Sequence, residues 1–198
     1  MSSHYIIRED QEPGLLILDP FVVDSAVIPS LLEWAPTVLI TQQAISYVYQ
    51  QNFKIDALYL YDLLPEHVES MMDYQRPYDL YFSGCDSIIH DSKEYLDKRG
   101  LTGLNIVSEI TPNLKRAINQ ELRNIHTTIY FKNAKYYYVN GGYFSKWSTP
   151  GHGFFTEATV KVKTDGLRSL DQNHFKAVRE GKVYFEADQA FWLGEIIL

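Results

Sequence analysis

The chain has a single cysteine, Cys85, in 198 residues. One thiol excludes an intrachain disulfide framework and suits a reducing, cytoplasmic setting. Basic residues are also scarce. Eighteen lysines and arginines stand against twenty-five aspartates and glutamates, a formal charge of -7. Broad binding to a phosphate backbone needs a basic surface, so no nucleic-acid partner is expected, although a local basic pocket for one nucleotide stays open. No apolar run approaches the roughly 18 residues of a membrane span, so no membrane association is expected. The opening Met1-Ser2-Ser3-His4-Tyr5 lacks the basic-then-apolar order of a signal peptide. Metal motifs are missing too. His4, His67, His90, His126, His152 and His174 form no H-x-x-x-H pair, and no C-x-x-C is present. There is no P-loop, no G-x-G-x-x-G and no G-x-S-x-G, which removes the usual nucleotide and hydrolase signals.

What is present is the composition of a folded protein: 45% hydrophobic and 22% charged residues. That balance excludes disorder, collagen and coiled coil, and the length suits one domain or two small ones. Over residues 1–124, short apolar runs alternate with helical spacing. Leu15–Leu18 reads as a buried strand of a parallel sheet, and Val38–Ile40, Ala57–Tyr61, Tyr78–Phe82 and Leu104–Val107 as its further strands. Residues 25–34, a stretch from Ala44 to Tyr49, residues 65–72 and residues 87–98 read as the helices between them. Pro65 suits a first helical position, Gly100 a helix stop, and Thr111-Pro112 the capped start of a helix running to about Arg123. Repeated βα units imply right-handed crossovers with helices on the faces of the sheet. The pattern changes over residues 125–198. Thr127–Phe131, Lys135–Val139, Glu157–Lys163, Lys182–Glu186 and Phe191–Leu198 read as strands, with turns at Asn140-Gly141-Gly142 and Asp165-Gly166. The expectation is an α/β domain followed by a small antiparallel β domain.

Ligands of α/β sheets bind beyond the carboxyl ends of the strands. Those ends carry Asp19-Pro20, Thr41-Gln42-Gln43, Tyr61-Asp62, Ser83-Gly84-Cys85-Asp86-Ser87 and Ser108-Glu109. Asp62 and Asp86 are the candidate pair for Mg²⁺, which prefers carboxylate and water oxygens. The competing reading is local: Asp19 starts a turn, Asp62 caps the next helix, and Asp86 or Ser87 caps the one after. Cys85 is either activated by a helix start or inert. Lys115 and Arg116 either reach a phosphate or belong to a solvated helix face. Tyr136-Tyr137-Tyr138 and Gly151-His152-Gly153-Phe154-Phe155 are either two-faced strand residues or a stacking site for an aromatic ligand.

Several landmarks resemble the thiamin pyrophosphokinase family, which moves a pyrophosphoryl group from ATP to thiamin. The stretch from Ser3 to Pro13 is similar to the N-terminal extension of bacterial members. Leu31-Leu32-Glu33-Trp34-Ala35-Pro36 is similar to the end of the family's first helix, and Phe53-Lys54-Ile55-Asp56 to the approach to its third strand. Lys98-Arg99-Gly100 with Leu104-Asn105-Ile106-Val107 resembles its last helix and strand before the thiamin-side loop. Phe144-Ser145-Lys146-Trp147 and Thr164-Asp165-Gly166-Leu167 resemble landmarks of its β domain. The resemblance implies a Rossmann-like domain over 1–124, a β-sandwich over 125–198, and a homodimer with sites between subunits.

The family's strand-end motifs are replaced. Asp19-Pro20 stand where it has Asn-Gly, and Gln42-Gln43 where it has Asp-Gly. Tyr61-Asp62 keep at most one carboxylate of its metal-binding Gly-Asp-x-Asp. Asp86 and Ser87 fall in its Asp-x-x-Lys-Thr-Asp, Lys115-Arg116 at its Asp-His, and Gln172-Asn173-His174 echo its thiamin-holding Ser-Asn-Glu. Pyrophosphoryl transfer depends on cations that neutralise developing charge, and loss of one such donor commonly costs roughly 10²–10³ in rate. The resemblance with these losses implies a relative with little or no kinase activity and no required cofactor. It would bind thiamin, thiamin diphosphate or another phosphate ligand, or a partner subunit such as an active paralogue in a heterodimer. The alternatives are an active pyrophosphokinase using ATP and Mg²⁺ at Asp62 and Asp86, and an unrelated scaffold protein.

Overall fold

The computed structural model describes residues 13–84, 87–157 and 160–197. The chain divides into two compact units, the first ending at Thr127 and the second beginning at Thr128. The first holds five strands: β1 (Gly14–Ile17), β2 (Val38–Thr41), β3 (Ala57–Leu60), β4 (Asp79–Phe82) and β5 (Gly103–Val107). They pair in parallel in the order β5-β1-β2-β3-β4. Every residue of β1, β2 and β3 is buried, as expected of central strands covered on both faces. The helices between them are α1 (Val27–Leu32), α2 (Ile45–Gln51), α3 (Glu66–Met72), α4 (Ile88–Asp97) and α5 (Pro112–Glu121).

Local chemistry sets most of these boundaries. The Thr111 hydroxyl accepts the Leu114 N–H at 3.1 Å, with Pro112 in the first turn of α5. Gly100 ends α4 at φ +70, and Asn52 ends α2 at φ 55. Three expectations are corrected. The helix expected over residues 25–34 is confined to α1, because Pro29 carries no N–H and tolerates only a first-turn place. Pro65 is the extended residue before α3 rather than its first helical residue. Since Pro65 holds that place and α3 has no side-chain cap, Asp62 does not cap it.

The second unit takes up β6 (His126–Phe131), whose start lies in the first, and adds eight strands. They are β7 (Ala134–Val139), β8 (Tyr143–Ser148), β9 (Gly153–Thr156), β10 (Lys163–Asp165), β11 (Leu167–Ser169), β12 (His174–Ala177), β13 (Gly181–Glu186) and β14 (Phe191–Ile196). One antiparallel layer runs β11-β12-β9-β14-β7-β6, and a three-stranded layer runs β10-β13-β8. Phe154, Phe175, Phe185, Phe191 and Leu193 form the apolar core between them. Phe185 of the small layer meets Phe154 at 5.5 Å and Phe175 at 5.6 Å, ring to ring. Gly166, at φ +74, turns the chain from β10 in one layer to β11 in the other, and a side chain there would press on the Lys182 carbonyl. The α/β unit followed by an all-β unit is the expected fold class.

The strand expected over Glu157–Lys163 is also corrected. Val160 is buried and Lys161 exposed, so the alternation is real, yet residues 160–162 pair with no strand and β10 begins only at Lys163. Residues 158–159 lie outside the described ones. Burial alternates wherever an extended chain crosses a surface, with or without a ladder.

Candidate functional site

The carboxyl ends of the parallel strands open into a cleft of about 470 Å³. Its first wall is the continuation of β1. The N–H groups of Leu18 and Asp19 both donate to the Val107 carbonyl, at 3.0 and 3.2 Å, which carries both residues past the sheet edge. The Asp19 carboxylate accepts the Phe21 N–H at 2.9 Å and starts a turn over Pro20–Val22. The buried Thr41 hydroxyl donates to the Leu18 carbonyl at 2.9 Å. Beyond β2, the Gln42 side-chain oxygen accepts the N–H groups of Tyr61 and Asp62 at 3.3 and 3.4 Å. Gln42 therefore ties the ends of β2 and β3 together, and Gln43 and Tyr61 line the cleft beside it.

The opposite side comes from β5 and two helix starts. Ser108 and Glu109 follow β5, and the Ser108 hydroxyl donates to the Glu109 carbonyl at 3.0 Å. Ile88 and Ile89 open α4, and Asn113, Leu114 and Ala117 present one face of α5. With Leu18 they make an apolar wall, while Thr111 adds a hydroxyl already used as a cap. Asp19 and Glu109 are the charged residues among the described lining, which contains no basic side chain.

The sequence-derived candidates separate on this geometry. Asp19, Gln43 and Tyr61 come together in the cleft, with Gln42 supporting them. Asp62 is exposed and off the lining. Ser87 turns inward on its own loop, bonding the Ser83 hydroxyl at 2.8 Å and donating to the Gly84 carbonyl at 3.0 Å. It gives α4 no side-chain cap. Ser83 in turn donates to Asp91. Cys85 and Asp86 lie outside the described residues. Lys115 and Arg116 are not among the lining residues, but Arg116 donates to the side chain of Asn113, which is. Gln172, Asn173 and His174 form a turn in the second unit. Asp171 closes it by accepting the N–H groups of Asn173 and His174, both at 2.8 Å, and these bonds with the His174 ring hold its carboxyl below the ordinary value.

Among the described residues no three carboxylate, histidine or cysteine side chains converge to hold a metal ion. Asp19 is engaged in its turn and Asp62 is not among the lining residues, so the described strand ends do not fit a metal–diphosphate site.

A second polar constellation was not anticipated. Glu195 of β14 is buried within the β unit. Its two oxygens both accept from Lys146 Nζ at 2.6 Å, one also meets His152 Nε2 at 3.0 Å, and the other accepts the Tyr137 hydroxyl. Burial pushes the Glu195 pKa up, but the bonds from Lys146 and Tyr137 and the charges of Lys146 and Lys135 outweigh it, and the net shift is down. Tyr130 is pushed up to about 12, by burial first and then by the Glu195 charge. Every acceptor site of Glu195 is occupied from within the unit, so the cluster joins β14 and β7 to β8 as a structural clasp. The three neighbouring tyrosines are likewise used internally. Tyr136 packs on Phe155, Tyr137 on Phe144 and Tyr138 on Trp192.

No protein-family model matches the chain, and no curated protein matches it in sequence. Solved structures do match. Thiamine pyrophosphokinase from Bacillus subtilis superposes with a TM-score of 0.68 at 7% identity, over 93% of this chain and 99% of that one. Yeast thiamin pyrophosphokinase gives 0.67 at 10% identity, over 96% and 88%. Thiamin pyrophosphokinase from Candida albicans gives 0.64 at 10% identity, over 94% and 90%. The chain therefore has the thiamin pyrophosphokinase fold along nearly its whole length, with little of the sequence of these enzymes. Among the described residues, no helix is long and apolar enough to cross a membrane.

Proposed function

We propose that this chain is a ligand-binding relative of the thiamin pyrophosphokinases that does not transfer pyrophosphate, and that its ligand occupies the strand-end cleft. The observation that carries this reading is the lining of that cleft. Transfer of a pyrophosphoryl group requires fixed positive charge where phosphate charge develops, from metal ions or from lysine and arginine. The described lining supplies two carboxylates and an apolar wall instead. Asp19 is committed to a backbone turn, and Arg116, itself off the lining, is engaged by Asn113. A triphosphate placed there would meet Asp19 and Glu109, with no basic side chain among the described lining residues.

The cleft nonetheless has the features of a ligand site. Its volume suits a small organic molecule, one wall is apolar, and several polar groups converge on it. The side chains of Gln42 and Thr41 bond the backbone of neighbouring strand ends and hold them together at the cleft.

The test is AMP formation from MgATP and thiamin, followed by chromatography. The reading predicts no AMP above a no-protein control. AMP formation that Asp62→Ala abolishes would replace it with an active pyrophosphokinase whose metal site is rearranged.

A further inference from the structure

We propose that the free edge of β4 pairs, antiparallel, with the same edge of a second copy of this chain, about a two-fold axis at Tyr81. The contact uses no residue of the cleft lining and is independent of the non-catalytic reading.

Among the described residues, β4, β8, β10 and β11 have a neighbouring strand on one side only. An unpaired edge is a template for another chain, and proteins blunt it with short strands, basic side chains or inward-pointing charge. Three of these edges are blunted. β10 and β11, each three residues long, carry the exposed Lys163 and Arg168. β8 sends Lys146 inward onto Glu195. β4, Asp79-Leu80-Tyr81-Phe82, has no basic residue, and its one charge is already held by Arg99 at 3.3 Å. Leu80 and Phe82 stand 50% and 65% exposed on it.

The backbone and the side chains of this edge fit a copy of themselves. The N–H groups of Asp79 and Ser83 donate to the Asp56 and Leu60 carbonyls at 2.8 and 2.9 Å, so both turn towards β3. The alternation of a strand then turns the N–H and C=O groups of Leu80 and Phe82 outward. Their side chains share one face, because Tyr81 points to the other, where it stacks on Tyr59 at 5.4 Å and meets Tyr95 at 6.0 Å. A two-fold axis at Tyr81 sets Leu80 opposite Phe82 of the second copy, and Phe82 opposite its Leu80. Each is a hydrogen-bonded pair that exchanges both of its N–H···O bonds, and the two Leu–Phe contacts cover each other. Asp79 falls opposite Ser83 of the second copy, so no like charges meet across the edge. The partner must present apolar residues two apart with no opposing charge, and β4 is itself such a sequence.

Cysteines read the register. In a Cys85→Ser background, chains carrying Leu80→Cys and chains carrying Phe82→Cys are oxidised with copper phenanthroline, separately and as an equimolar mixture. Directly opposite positions have Cα atoms about 5.5 Å apart, within disulfide reach, whereas position 80 and its own copy are diagonal at about 7–8 Å. The mixture should give at least about tenfold more covalent dimer than either variant alone. In the otherwise native chain, Leu80→Lys with Phe82→Lys sets like charges opposite one another and should weaken association at least about tenfold in sedimentation velocity, with circular dichroism reporting the fold. Cross-linking no greater in the mixture than in the single variants overturns the proposal, and so does association that the lysine variant leaves unchanged. A native chain that sediments as a monomer at every concentration also overturns it, and leaves the edge to an extended segment of another protein.

Discussion

Replacing Lys146 by methionine should destabilise the β unit by about 2–3 kcal/mol at neutral pH. The Glu195 side chain is only 6% exposed and depends on Lys146 for two bonds of 2.6 Å. Breaking a buried ion pair by removing one partner typically costs about 3–5 kcal/mol, because a charge is left buried. The lower figure applies because the Lys146 side chain is 34% exposed, and because His152 and Tyr137 remain on the carboxylate. At roughly 2–4 °C per kcal/mol for a chain of this size, the thermal midpoint should fall by about 5–10 °C.

The sign of the pH dependence follows from Glu195. Its folded pKa lies below the ordinary 4.5, so its stabilising contribution is present above that value and is lost as pH falls through the folded pKa. The gap between wild type and Lys146→Met should therefore be widest near neutrality and close in acid. Adding Glu195→Leu to Lys146→Met should recover most of the loss, since no buried charge then remains. The assay is thermal and urea unfolding by circular dichroism at several pH values. A single variant within about 0.5 kcal/mol of wild type at neutral pH would refute the reasoning, and so would a double variant no more stable than the single one.

Two further outcomes are expected. Gly194→Ala should cost about 1–3 kcal/mol in urea unfolding, because the Phe155 ring lies on the Gly194 backbone where a Cβ would stand. Thr111→Ala should cost about 1 kcal/mol by removing the cap on Leu114, with Thr111→Ser restoring most of it by the same measurement.

How much of this was legible in the sequence depends on the distance over which each feature is specified. Strands buried on both faces leave continuous apolar runs, so Leu15–Leu18 and Val38–Ile40 announce β1 and β2 directly. Thr111-Pro112 announces α5 because capping is a contact over three residues. The strands β11 and β12 are three and four residues long and bury only Phe175 and Ala177, too few positions for a period to stand out in the sequence. The same logic sorts the sites. Asp19, Gln43 and Tyr61 follow from the general rule about strand ends. Glu109 stands at a strand end as well, but Ile88, Leu114 and Ala117 resemble ordinary core-facing helix residues until α4 and α5 are seen to open on the cleft. The Glu195 clasp has partners 43, 49 and 58 residues away, and only the fold brings them together. Its one visible sign is a carboxylate inside the apolar run Phe191-Trp192-Leu193-Gly194-Glu195-Ile196.

Calorimetric titration of thiamin into the protein with MgATP present tests the non-catalytic reading most directly. Thiamin is the acceptor and MgATP the pyrophosphoryl donor of the reaction in question. The predicted result is a saturating isotherm with no AMP in the cell at its end. Heat that continues after saturation, with AMP accumulating in proportion, would contradict it.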